Sequence, residues 1–173
     1  MNCITLHAAG IAALAVIATA HIASAHVTLE ARQAPAASTY KAVFNVGHGC
    51  EGSPTTKIRI QIPAGVVGVK PMPKPGWEVT VVKGKLAEPY MDHGKTITEG
   101  VTEVTWSGGK LLDEHFDQFT ARLTLPDRTG EIWFPVVQEC EKGANRWIEI
   151  PAAGKSADDL KSPAARLVLT PKP

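Results

Sequence analysis

The sequence predicts an all-β domain, a single sandwich of roughly eight or nine short strands, and three observations carry that expectation. Gly and Pro, 15 and 13 of them in 173 residues, punctuate the chain at short intervals, and the segments between are rich in Val, Ile, Thr and aromatic residues. Two segments alternate with period two: "TKIRIQIP" places Ile58, Ile60 and Ile62 on one face, and "FDQFTARLTLP" does the same for Phe119, Ala121, Leu123 and Leu125. Helical signal is confined to "SADDLKSPA", which resembles a single turn that Pro163 would stop.

Taken in order, the first element is a leader. Residues 1–25 contain no Lys, Arg, Asp or Glu, and residues 8–20 form a small-apolar run too short to span a bilayer. Ala23-Ser24-Ala25 fits the small-x-small pattern of signal peptidase, so the expected cut precedes His26; Ala18-Thr19-Ala20 before His21 is a second acceptable site. The expected organisation is a signal peptide over 1–25 and one domain over 26–173, which at about 150 residues holds one core and not two. Beyond the alternating pair, strands are expected over 40–46, 77–82, 101–106, 131–137, 145–150 and 165–170. "PMPKPGW" is too rich in proline for a central strand and reads as a rigid corner or edge leading into Trp77. "TPKP" at the end should fray.

Charge and cysteine count narrow the function classes. Eighteen Lys and Arg stand against 17 Asp and Glu, so no nucleic-acid face is expected, and after the leader no apolar run is long enough to insert in a membrane. The expected location is the periplasm or the medium. Cys3 leaves with the leader, and Cys50 and Cys140 remain without CxxC spacing, which in an oxidising compartment suggests one disulfide; the competing reading is a pair of thiols forming a soft copper site.

Candidate chemistry starts at His26. As a free N-terminus it offers an α-amine and a ring Nδ1 that close a chelate on one metal ion, a geometry closed to an internal histidine; nitrogen ligands favour Cu(II). Equally, cleavage exposes some residue in any case. Trp147 in "NRWIEIP" falls on the strand face opposite Ile148 and Ile150, so it lines a site or interface, or is buried under a loop. His48 beside Cys50 reads as a structural hydrogen-bonding residue and His93 in "YMDHGK" as a solvated turn residue. "LLDEHFDQF" is dense in ligand types, Asp113, Glu114, His115, Asp117 and Gln118, or is a charged loop at a strand entry. Met72 and Met91 suit Cu(I), but isolated methionines usually pack. Trp77, Trp106 and Trp133 are expected in core or rim packing. No GxSxG, HExxH, P-loop or GxGxxG occurs, and no enzymatic activity is expected.

The blocks "AHVTLE", "VGHGCEGSPTTKIRIQIPAGVVGVKPMPKPGW", "VTWSGGKL", "FDQF" and "FPVVQECEKGANRWIEIP" together resemble the YcnI-like family of exported bacterial copper-binding domains, over nearly the whole chain after the leader. The resemblance implies an Ig-like or cupredoxin-like sandwich. It also implies Cu(II) held by a single-histidine brace of the mature N-terminal histidine, a carboxylate and a nearby tryptophan. Here His26 and Trp147 take two of those roles. The family's F-x-E-F pattern stands as Phe116-Asp117-Gln118-Phe119, so a neutral amide occupies the carboxylate position, and Asp117, Glu114 or Glu30 is an alternative source of charge.

Three functional readings follow. The first is a copper buffer or metallochaperone that exchanges metal with another periplasmic copper carrier or a membrane copper transporter. The others are a copper-dependent oxidase of the histidine-brace type, which normally presents a second histidine where this strand offers Gln118 and His115 is the only nearby substitute, and a metal-free Ig-like interaction domain. Export predicts that the processed protein begins at His26; intact-mass measurement checks this, and a chain beginning at His21 would contradict it.

Overall fold

A computed structural model describes residues 26–172; the expected signal-peptide cut and Cys3 lie outside them, apart from His26 itself. Among the described residues there are twelve strands and one 3-10 turn, Ala157–Asp159, and no helix long and apolar enough to cross a membrane. The strands are β1 Thr28–Leu29, β2 Gln33–Pro35, β3 Thr39–Val46, β4 Thr55–Gln61, β5 Val67–Pro71, β6 Glu78–Asp92, β7 Lys95–Leu111, β8 Asp117–Thr124, β9 Gly130–Phe134, β10 Val136–Cys140, β11 Ala144–Trp147 and β12 Ala165–Thr170. They form three sheets, ordered β1-β3-β8-β5, β11-β10-β4-β7-β6 and β2-β12-β9.

The all-β expectation holds, but twelve strands replace eight or nine, for local reasons. Proline has no N–H to continue a ladder, so the expected strand over 131–137 splits at Pro135. β9 pairs with β12 in one sheet, and β10 pairs with β4 in another. Strands 77–82 and 101–106 are instead the inner parts of one long hairpin, β6–β7, whose two-residue loop is His93-Gly94. Both loop residues have positive φ, 45° and 79°, the pattern whose twist matches a hairpin. His93 is the solvated turn residue expected.

Alternation decides which side chains meet. Ile58, Ile60, Phe119, Ala121, Leu123 and Leu125 are all buried, as their period predicts. Phe119 of β8 reaches across to the second sheet, with its ring edge-on to Trp106 at 5.7 Å and to Trp77 at 4.9 Å between centroids. Trp106 is fully buried and its Nε1 donates to the Met72 carbonyl at 3.1 Å. Gly109 is required here, since a Cβ on it would sit 2.1 Å from the Trp77 ring. On the other side Phe44 of β3 packs on Phe134 of β9 at 5.5 Å, joining the first and third sheets.

"PMPKPGW" behaves as a corner: β5, an edge strand, ends at Pro71, and a turn closed between Lys74 and Trp77 delivers the indole to the core. Met72 and Met91 do not pack as expected but are half exposed or more, because one lies past a strand edge and the other near the hairpin tip.

Cys50 and Cys140 form a disulfide that joins the loop before β4 to the end of β10 across 90 residues of sequence. On the chain-entropy account a loop of that length contributes at most about 4–5 kcal/mol. Replacing both cysteines with Ser is expected to lower unfolding free energy by no more than that, read from the urea midpoint.

Candidate functional site

β1 sets the position of His26. Val27 and Leu29 point into the core at 2% and 1% exposure, which leaves His26, Thr28 and Glu30 the opposite parity. Thr28 pairs with Asn45 on β3, and Asn45 pairs with Gln118 on β8, so the three stand in one row across the outer face of the first sheet.

Two groupings result. In the first, the His26 ring packs edge-on against Trp147 at 5.2 Å, and its Nε2 lies 3.3 Å from the Lys161 carbonyl. A carbonyl only accepts, so Nε2 is the donor here, and in the neutral ring that tautomer leaves the lone pair on Nδ1, the nitrogen nearer the main chain. In the second, Gln118 Nε2 donates to the Glu30 carboxylate at 2.8 Å and to Asn45 Oδ1 at 2.9 Å. The carboxylate accepts only, which fixes the amide's orientation. Both N–H groups are thereby used, and no donor bonds Oε1 among the described residues.

Trp147 is held from behind. Its Nε1 donates to Gln138 Oε1 at 3.2 Å, and Gln138 is 1% exposed on β10. The Gln138 amide in turn donates to the His48 carbonyl at 2.7 Å and to Thr55 Oγ1 at 2.8 Å, two residues along the strand from Cys140 of the disulfide. A buried amide with every group bonded is rigid, and that rigidity passes to the indole and so to the His26 ring.

Comparison with known proteins follows from this geometry. A family model described as a domain of unknown function, DUF1775, matches residues 26–169. The chain belongs to the DUF1775 family. A solved structure described as that of an uncharacterized protein from Nocardia farcinica with an immunoglobulin-like fold is 25% identical, with a TM-score of 0.64, over 83% of this chain and 97% of that one. The domain is an Ig-like sandwich. No curated protein matches the chain.

The DUF1775 domain distributes the sequence-predicted residues unevenly. His26 and Trp147 are brought together. Asp117 is turned to Lys74, whose Nζ lies 2.7 Å from its carboxylate and 5.2 Å from the centre of the Phe119 ring, so the carboxylate is neutralised there. Glu114 lies exposed in the turn before β8. His48 acts structurally, with Nδ1 at its neighbouring Gly49 carbonyl, 2.6 Å, and 3.8 Å from Asp113. Parity around Trp147 is as expected, but the core lies on its side of the strand: Trp147 is 5% exposed while Ile148 and Ile150 are 37% and 53% exposed. β11 ends at Trp147 against Val136, and the isoleucines follow on the outward face with Arg146.

Among the described residues no three His, Cys, Asp or Glu side chains converge to hold a metal. The donors in this DUF1775 domain are of other kinds: one imidazole nitrogen, one amide oxygen, one carboxylate and whatever main-chain nitrogen His26 offers. Asn45, Gln138 and the Lys161 carbonyl were not signalled by the sequence. Gln138 alone left a trace, a polar residue on the inward parity of a strand.

Tyr40 is buried in the core, its hydroxyl donating to the Ala31 carbonyl just after β1. Burial first, and then the Glu30 charge, push its pKa up to about 12. Since the folded value lies above the ordinary 10, the contribution is full below pH 10 and is lost as pH rises from 10 through 12. Urea midpoints are expected to fall over that window in the unaltered domain, and to fall less in Tyr40→Phe.

Proposed function

We propose that this DUF1775 domain is an exported copper-binding protein that holds Cu(II) at His26 and serves as a buffer or metallochaperone, without turnover of its own. The carrying observation is the His26 ring: it is bonded through Nε2 and packed on Trp147, which in the neutral ring leaves Nδ1, the nitrogen able to chelate together with the α-amine of a processed chain, without a partner among the described residues. Outer bonds that set a ring's tautomer and aim are what orient a metal-binding histidine. The resemblance to the YcnI-like copper-binding domains supports the same reading.

The oxygen donor is the point at which this chain has its own solution. Gln118 stands at the carboxylate position with Oε1 unbonded, and Glu30 is hydrogen-bonded to it, so a dipole and a full negative charge lie side by side on β8 and β1. Next to a divalent cation the charge outweighs the dipole. The exchange partner fitting this reading is another periplasmic copper carrier or a membrane copper transporter.

Placing a Gly before His26 converts the amine to an amide while leaving every side chain in place. Cu(II) affinity, titrated against a competing chelator, is expected to fall at least ~10²-fold, or ~2.7 kcal/mol at 1.4 kcal/mol per decade. Unchanged affinity would end the proposal. Gln118→Glu is expected to tighten binding and, without metal, to lower the unfolding midpoint, since two carboxylates would then share one hydrogen-bond distance. Electron paramagnetic resonance should count two coordinated nitrogens in the unaltered protein and fewer in the extended one.

A further inference from the structure

The near-zero net charge conceals a local imbalance. Lys41 on β3, Arg122 on β8 and Lys70 on β5 are direct cross-strand neighbours: Lys41 pairs with Arg122, and Arg122 with Lys70. All three are exposed on the outer face of the first sheet. Directly opposed side chains have Cβ atoms about 5 Å apart, and like charges so placed destabilise a sheet. None of the three forms an ion pair among the described residues. The pairs on either side, Thr39 with Thr124 and Val43 with Thr120, are neutral and supply no relief.

The same row lines a groove of about 470 Å³, with Thr39, Met72 and Thr120. Thr120, 6% exposed, lies on the same face and lines this groove. Three adjacent cations without ion-pair partners, lining one groove, have the form of an anion-binding site.

We propose that Lys41, Arg122, Lys70 and Thr120 bind a phosphate-class anion. A carboxylate has two oxygens, and the Arg122 fork would use both. A phosphate has further oxygens for the two ammonium groups and the Thr120 hydroxyl, and Arg binds phosphate through paired N–H donors while Lys acts as a point charge. The groove is larger than one phosphate and leaves room for an ester-linked body, so inorganic phosphate and a phospholipid headgroup share the required chemistry. The site lies on other residues than His26 and stands independently of the copper reading.

The test uses the processed, disulfide-bonded protein in thermal unfolding, with chloride exchanged for inorganic phosphate at constant ionic strength. A midpoint rise of about 3 °C or more is expected once phosphate is tenfold above its dissociation constant. Arg122→Gln should keep its midpoint in chloride, or raise it, and should lose that rise; Lys41→Gln, equally exposed, should lose most of it. A second arm measures co-sedimentation with phosphatidylglycerol vesicles against phosphatidylcholine vesicles. Binding to the former that falls about fivefold in Arg122→Gln assigns the headgroup as source, and a phosphate effect without vesicle binding assigns the free anion. Equal midpoint rises in the unaltered protein and Arg122→Gln, together with vesicle binding that does not depend on Arg122, would overturn the proposal.

Discussion

The hydrogen bond between Trp147 and the buried amide of Gln138 is the joint on which the organisation of this domain turns. A glutamine at 1% exposure is costly unless all its groups are bonded. Here the indole, the Thr55 hydroxyl and the His48 carbonyl meet that requirement from three segments of chain. The consequence is that β11, β4 and the loop leading to Cys50 are located relative to one another by one side chain. The disulfide closes the same neighbourhood covalently. His26, at the start of the short β1, is positioned against this wall through its contact with Trp147.

The first sheet shows how one surface can carry two unrelated chemistries. Its inner face is a plain apolar layer of Phe44, Phe119, Ala121 and Leu123, fixed by period-two alternation and by aromatic contacts to the other two sheets. Its outer face is freed by that same alternation to hold polar groups in rows. One row, Thr28, Asn45 and Gln118, ends beside Glu30 and is negative; another, Lys41, Arg122 and Lys70, is positive. On that face one neutral row, Val43 and Thr120, separates them along β8, so opposite charges remain apart instead of cancelling. The pairing register makes that separation, and a slip of one residue on β8 would place Gln118 and Arg122 in the core.

A glutamine and not a glutamate at position 118 leaves the negative charge of this pair on Glu30 alone. Gln118 can donate to Glu30, which a glutamate there could not do, and the pair keeps a single net negative charge in place of two. Repulsion between two neighbouring carboxylates is thereby avoided. Asp117, one position earlier, has the opposite parity and is spent on Lys74 at the rim of the aromatic core. Adjacent acidic and amide residues in the same motif thus have different fates, decided by the face of the strand on which each falls.

The sequence by itself determined the all-β class, the buried faces of β4 and β8, the turn at His93-Gly94 and, with Cys3 set apart in the expected leader, the bridge between Cys50 and Cys140. Those features are local or nearly so: alternation, turn residues and proline act over a few positions, and the two cysteines that follow the expected leader leave a single pairing. It also singled out His26, Trp147 and Gln118. Only the tertiary structure decided that Pro135 passes the chain from one sheet to another, that Trp147 and not the neighbouring isoleucines faces the core, and that Gln138, Lys161 and Glu30 complete the surroundings of those residues. Nothing near Lys161 marks its carbonyl, because a main-chain oxygen has no identity until a partner reaches it. The cationic row was hidden for the same reason: Lys41, Lys70 and Arg122 are far apart in the chain and lie side by side only through pairing register, a property of strands in contact.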